Sequence, residues 1–148
     1  MTPEPELLKK YPVYEVAGQV RAALSTHLRA VLSSPTGSGK STVLPLTLLN
    51  EPWLKDRKII MLEPRRIAAY AVAAQLAHNC SCEVGGLVGY RMRLDSKVSE
   101  NTRLEVLTEG MLTRKLQRDP ELSDTALVIF DADGGLRNWK NGRRLERF

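Results

Sequence analysis

The sequence holds two cysteines, Cys80 and Cys82, too few and too close together to build a disulfide framework. It also holds only two histidines, so His78, Cys80 and Cys82 have nothing but the distant His27 to complete a metal set. An ordinary helix-to-loop segment is the simpler reading of that stretch. No apolar run approaches the length of a membrane span, and the N-terminal MTPEPELLKK has no apolar core of the signal-peptide kind. The expectation is therefore a cytoplasmic chain with no membrane partner. Internal repeats are absent. Net positive charge is scarce over most of the length: of the overall +5, the stretch from Gly134 to Phe148 carries +4, because Arg137, Lys140, Arg143, Arg144 and Arg147 face Glu146 alone. The nearly neutral remainder gives no electrostatic footprint, so any claim of a nucleic-acid partner must rest on motifs. With 148 residues, 43% of them hydrophobic and 26% charged, the chain has the size and balance of one domain with a single core.

What is present is organised around Arg29 to Leu49, RAVLSSPTGSGKSTVLPLTLL. A short apolar run over Ala30 to Ser33 reads as a strand, a glycine loop follows, and a second apolar run reads as a helix with Pro45 in its first turns. Strand, loop and helix are the setting of a phosphate-binding loop, in which backbone N–H groups and a helix N-terminus face a polyphosphate. Gly37 and Gly39 allow the backbone to fold tightly, Lys40 can reach β- and γ-phosphates, and the Ser41 hydroxyl can ligate Mg²⁺. The full consensus would place a glycine where Ser34 stands, so the match is to the G-x-G-K-S core.

The rest of the chain alternates strand and helix signals. Residues up to Lys10 are polar and read as frayed, and Val16, Val20, Ala23, Leu24 and Leu28 recur at helical spacing within Val13 to Leu28. KIIML at 58–62 has the continuous apolar character of a strand buried on both faces. An alanine-rich helix follows from about Pro64, then strands at Leu87 to Tyr90 and Thr102 to Thr108, a helix over Glu109 to Arg118, and an apolar strand, Ala126 to Phe130. This order implies parallel pairing with right-handed crossovers, hence an α/β fold. Asp131, at the end of an apolar strand downstream of the loop, is the candidate for a second metal-organising carboxylate; a strand-end aspartate opening a turn is the competing reading.

Five motifs occur in one order: SPTGSGKST at 34–42, LEPRRIAA at 62–69, VGYR at 88–91, TEGML at 108–112 and LVIFD at 127–131. Together they resemble the first RecA-like domain of a DEAH-box helicase, of the bacterial HrpB type, over roughly residues 11 to 131. The resemblance implies a RecA-like P-loop NTPase sheet flanked by helices and incomplete at its C-terminal end, with residues 1–131 forming part of the domain and 132–148 a basic, irregular tail outside the family pattern. It implies ATP with Mg²⁺ as cofactors, nucleotide contacts from Thr36, Gly37, Ser38, Gly39, Lys40, Ser41 and Thr42, and metal contacts from Ser41 and Asp131. It implies a single strand of RNA or DNA as partner, held by its backbone through Arg65, Arg66, Thr108 and Gly110. Two solvated arginines near a helix start are the alternative for Arg65 and Arg66, although cations are disfavoured there unless an anion offsets them.

The departures carry equal weight. Where the family has Asp-Glu-x-His, this chain has Asp131-Ala132-Asp133-Gly134. The metal-associated Asp is kept, while Ala132 stands for the glutamate that orients the attacking water and Gly134 for the histidine that couples hydrolysis to the strand. The expectation is a nucleotide-binding helicase portion whose hydrolysis is lost and whose second domain is missing. The alternatives are a non-catalytic nucleotide- or nucleic-acid-binding module and a non-functional truncated product; a small-molecule kinase would leave LEPRRIAA and TEGML without a role. In RecA-like sheets the strand that follows the Asp signature lies between the phosphate-loop strand and the strand ending at Asp131, so its absence is expected to leave both as open, aggregation-prone edges.

Overall fold

The computed structural model describes residues 5–35, 37–131, 138–140 and 143–145. Its frame is a five-stranded sheet in the order β3-β2-β4-β1-β5. The strands are β1 (Lys58–Leu62), β2 (Val88–Met92), β3 (Asp95–Lys97), β4 (Leu104–Leu107) and β5 (Thr125–Phe130). β1 pairs in parallel with β4 and β5, β2 pairs in parallel with β4, and only β3 is antiparallel, as the return arm of a hairpin from β2. Among the described residues the helices are α1 (Pro5–Lys9), α2 (Val13–Thr26), α3 (Leu44–Thr47), α4 (Arg66–Asn79) and α5 (Glu109–Arg118), with a 3₁₀ turn at Pro52–Leu54.

The period-two geometry of a strand sorts the apolar residues of β1 into two cores. Ile59 and Met61 face the larger one, with Val88, Tyr90, Leu104 and Val106 of the sheet, Ala69, Ala73 and Leu76 of α4, and Val13, Val43 and Leu46 from the N-terminal third. Ile60 and Leu62 face a smaller one with Leu107, Leu112 of α5 and the partly buried Met111, Leu122 and Val128. A strand with helices on both faces has no polar side to show, which is why KIIML is apolar throughout.

Glu105 interrupts the apolar run of β4. It is 1% exposed, yet Arg91 Nε of β2 lies 2.5 Å from one carboxylate oxygen and Lys58 Nζ of β1 lies 3.5 Å from the other. The strand register makes this possible, since Glu105 stands beside Gly89 on one side and Ile60 on the other. A buried carboxylate is tolerated only when paired in this way.

Three expectations need correction. The N-terminal segment is not frayed up to Lys10: α1 forms, and Leu8 is buried in the larger core. Residues Ala30 to Ser33 do not form a strand, and Val31 there is exposed. A strand must find hydrogen-bond partners, and among the described residues the sheet ends at β5 with nothing paired to its far side. Within 132–148, read as irregular, the described backbone forms a two-stranded antiparallel ladder of β6 (Asn138–Lys140) and β7 (Arg143–Leu145). The sequence signal for it is Asn141-Gly142, the dipeptide that best suits a tight hairpin. Ala132, Asp133 and Gly134 lie outside the described residues.

Two outcomes follow from this frame. Arg91→Ala leaves Glu105 with Lys58 alone; because the Arg91 side chain is 42% exposed, water makes up part of the loss, and the expected destabilisation is about 1–2 kcal/mol rather than the 3–5 of a fully buried pair. A lowered urea midpoint measures it, and an unchanged midpoint shows that the pair contributes nothing net. The open side of β5, ending in the half-exposed Phe130, is expected to bind an apolar-surface dye and to drive concentration-dependent association at micromolar protein. A monomer at all concentrations with no dye signal would show the edge to be closed.

Candidate phosphate-loop site

The loop is assembled against the start of α2. Val13 N–H donates to Ser38 O at 2.9 Å, and Ser38 and Gly39 are buried. Gly39 has φ +91°, and a Cβ there would meet Tyr11 Cβ, Val13 Cγ1 and Val43 Cγ2, each at 3.1 Å, so both backbone conformation and packing require glycine. Gly37, at φ +81°, has open space around it and needs glycine for conformation alone. Ser34, the departure from the consensus glycine, shares a hydrogen bond with Ser38 between their hydroxyls at 2.7 Å, which braces the two arms of the loop. Lys40 folds back across it, Nζ donating to Ser34 O at 3.1 Å. Thr36 lies outside the described residues.

The helix after the loop is shorter than its apolar run suggests. Gly39 O accepts from Val43 N–H at 2.8 Å and from Leu44 N–H at 3.1 Å, but regular helix covers only Leu44–Thr47, with Pro45 in its first turn. So short a helix has little dipole, and an anion at this loop would meet the loop's own groups and Lys40 rather than a helix end.

Across from the loop, the Ser41 hydroxyl donates to Asp131 Oδ2, joining segments 90 positions apart. Asp131 is fixed in turn by its N–H, which donates to Leu62 O at 3.2 Å at the end of β1. The sequence reading of Ser41 and Asp131 as one oxygen-donor pair thus has a geometric counterpart. A residue that sequence reasoning missed, the buried Asn79 at the end of α4, donates from Nδ2 to Thr42 O at 2.8 Å and accepts from Gln75 Nε2 at 2.9 Å. A polar residue among the alanines of α4 was the available signal.

The four parallel strands end at one edge of the sheet, where open α/β sheets place their ligands. Arg65 sits at the N-cap position of α4 just beyond β1, and Arg66 opens the helix; both are exposed. Arg66 Nη2 donates to Arg93 O at 3.3 Å, tying α4 to the β2–β3 turn. Thr108, beyond β4, is the N-cap of α5 and its N–H donates to Arg91 O at 3.4 Å. Gly110 is exposed, and a Cβ there would meet nothing within 4 Å, so packing gives no reason for a glycine. Sheet order places these groups along the same edge as Asp131 and the loop.

A glycine loop packed against a parallel α/β sheet, with a serine hydroxyl on a strand-end aspartate, defines a RecA-like P-loop domain. The DEAD/DEAH box helicase family matches residues 16–147, and the chain belongs to that family. It is 52% identical over 124 residues to the ATP-dependent RNA helicase HrpB of Escherichia coli K12, covering 84% of this chain and 15% of that protein. It is 37% identical over 134 residues to the human ATP-dependent RNA helicase DHX33, covering 88% of this chain and 19% of that protein. The crystal structure of the Escherichia coli DEAH/RHA helicase HrpB superposes with a TM-score of 0.78 at 53% identity, over 82% of this chain and 16% of that one. The chain thus spans less than a fifth of the length of these relatives.

The two loop glycines separate by experiment. Gly39→Ala meets both a left-handed backbone and three close carbon contacts and is expected to cost about 2–4 kcal/mol, whereas Gly37→Ala meets the backbone term alone and costs about 1–2. Urea midpoints of the two variants decide it; equal losses would show that Gly39 is not clamped as described.

Proposed function

We propose that this chain is the nucleotide-binding portion of an ATP-dependent nucleic-acid helicase, able to bind ATP with Mg²⁺ and with hydrolysis lost. The observation that carries the reading is the meeting of Ser41 with Asp131 beside the loop. Two hard oxygen donors there fit a magnesium ion that keeps its remaining positions for water and phosphate oxygens. That ion would neutralise phosphate charge when bound. Lys40 would leave Ser34 O for the β- and γ-phosphates, and the backbone of Thr36, Gly37, Ser38, Gly39, Ser41 and Thr42 would wrap them. Arg65, Arg66, Thr108 and Gly110 would grip the sugar-phosphate backbone of a single strand; the RNA helicases among the relatives favour RNA over DNA.

Loss of hydrolysis rests on Ala132 and Gly134, which leave nothing at those positions to orient or deprotonate a water. Absence of a general base alone forfeits roughly 10²- to 10⁴-fold in rate. Residues 1–131 would then form the partial RecA-like domain and 132–148 an appended basic segment. The same two residues favour a second reading, a nucleotide- or nucleic-acid-binding module without catalysis. A cytoplasmic site of action goes with either.

Lys40→Ala removes the loop's cation and is expected to weaken a fluorescent ATP analogue at least tenfold, or about 1.4 kcal/mol or more, while phosphate release by the unaltered chain stays at background with or without RNA. Equal binding by both proteins would remove the loop from the reading, and RNA-stimulated release would refute the loss of hydrolysis.

A further inference from the structure

At the end of α4 the chain turns through Cys80-Ser81-Cys82 in a Schellman arrangement: Cys82 N–H donates to Ala77 O at 2.9 Å and Ser81 N–H to His78 O at 3.0 Å. Ser81 takes the left-handed position, φ +54°, usually occupied by glycine. The turn aims two side chains at one point. Both cysteines are free thiols, and their sulfurs lie 2.7 Å apart, within about 0.7 Å of the length of a disulfide bond. They differ in access: Cys80 is buried and Cys82 partly exposed.

The neighbour of this pair is Asn79, the residue that holds Thr42 O of the phosphate loop at 2.8 Å. Strain from a bond between the sulfurs would fall on the turn at Cys80, whose N–H caps α4 through Leu76 O at 3.1 Å, and Asn79 is one peptide away. We propose that Cys80 and Cys82 are a reversible redox pair whose oxidation loosens the Asn79 hold on the phosphate loop and so weakens nucleotide binding. The thiol chemistry stands alone; its effect on nucleotide rests on the function proposed above.

The oxidant is a peroxide. Cys82, the accessible sulfur, attacks one peroxide oxygen as its thiolate; the O–O bond breaks, leaving a sulfenic acid on Cys82 and hydroxide, which takes the proton the thiol gave up. The Cys80 sulfur then displaces that hydroxyl, the S–S bond forms, and the Cys80 proton leaves with the hydroxyl as a second water. The two thiols lose two electrons and two protons, and the peroxide is reduced to two waters. Burial pushes the Cys80 thiol up to about 12, so it keeps its proton and stays unreactive until the Cys82 sulfenic acid is beside it. A ring closed over so short a span is strained, which places it among the readily reduced disulfides.

The test uses the full chain, treated with hydrogen peroxide and then with a dithiol reductant. Intact mass is expected to fall by two hydrogen atoms and both thiols to disappear from an alkylation count, with full recovery on reduction. Affinity for a fluorescent ATP analogue is expected to fall about fivefold in the oxidised protein, the scale of one lost hydrogen bond, and to recover with the thiols. Cys82→Ser should bind as the reduced protein does and show no peroxide effect, and Asn79→Ala should bind weakly in both states. Cys80→Ala checks the thiol count independently should Cys82→Ser misfold. Retention of both thiols, or their conversion to higher oxides without the mass of a disulfide, overturns the pairing. A disulfide with unchanged affinity overturns the link through Asn79. Reduced protein that binds no analogue refutes the proposed function while leaving the mass measurement to decide the thiol chemistry.

Discussion

The Ser41 hydroxyl on the Asp131 carboxylate is the contact on which the site depends, because each of its partners is held by a different part of the fold. Ser41 is carried by a loop packed on α2 through Ser38, and Asp131 by a strand end pinned to β1 through Leu62. Neither segment could place its oxygen alone. A side chain held in position from both sides is preorganised, so on the proposed reading a cation and polyphosphate arriving there would meet donors already positioned. The same contact would also compete with them, as would Lys40 on Ser34, and ligand binding would have to exchange these bonds for charged ones.

Behind the contact, the sheet is stiffened by an interaction of the opposite kind. Glu105 is deep in β4, and its charge is acceptable only because Lys58 and Arg91 approach from the strands on either side. An apolar residue of similar size would serve stability as well, since buried ion pairs rarely exceed hydrophobic packing. What the pair adds is registry: β1, β4 and β2 must align for the three groups to meet. That registry brings Glu63, Thr108 and Met92 to one edge level with Asp131.

Elements with a strong local pattern were legible in the sequence, and those whose existence depends on a partner were not. KIIML matches β1 residue for residue, and Glu109 to Arg118 matches α5, because burial pattern and caps are local properties. Ala30 to Ser33 has the same apolar look as β5, yet only β5 finds β1 to pair with. β3 has no apolar residue and exists as the return arm of β2, which no pattern of periodicity reveals. The candidate site divides in the same way. Gly39, Lys40, Ser41 and Asp131 were readable from residue chemistry, whereas Ser34 as a brace and Asn79 as a clamp emerge only when distant segments are brought together.

The residues proposed to bind nucleotide and those whose loss is proposed to stop hydrolysis fall on different stretches of this chain. The groups suited to a phosphate, from Gly37 to Thr42, are set by a loop whose packing involves α2, Val43 and Asn79, all before residue 80. The group suited to a metal, Asp131, closes the last strand of the main sheet. The proposed departure from Asp-Glu-x-His begins at the next residue, Ala132. On the proposed reading, the missing glutamate would take away the group that orients the attacking water while the phosphate-loop residues stay in place.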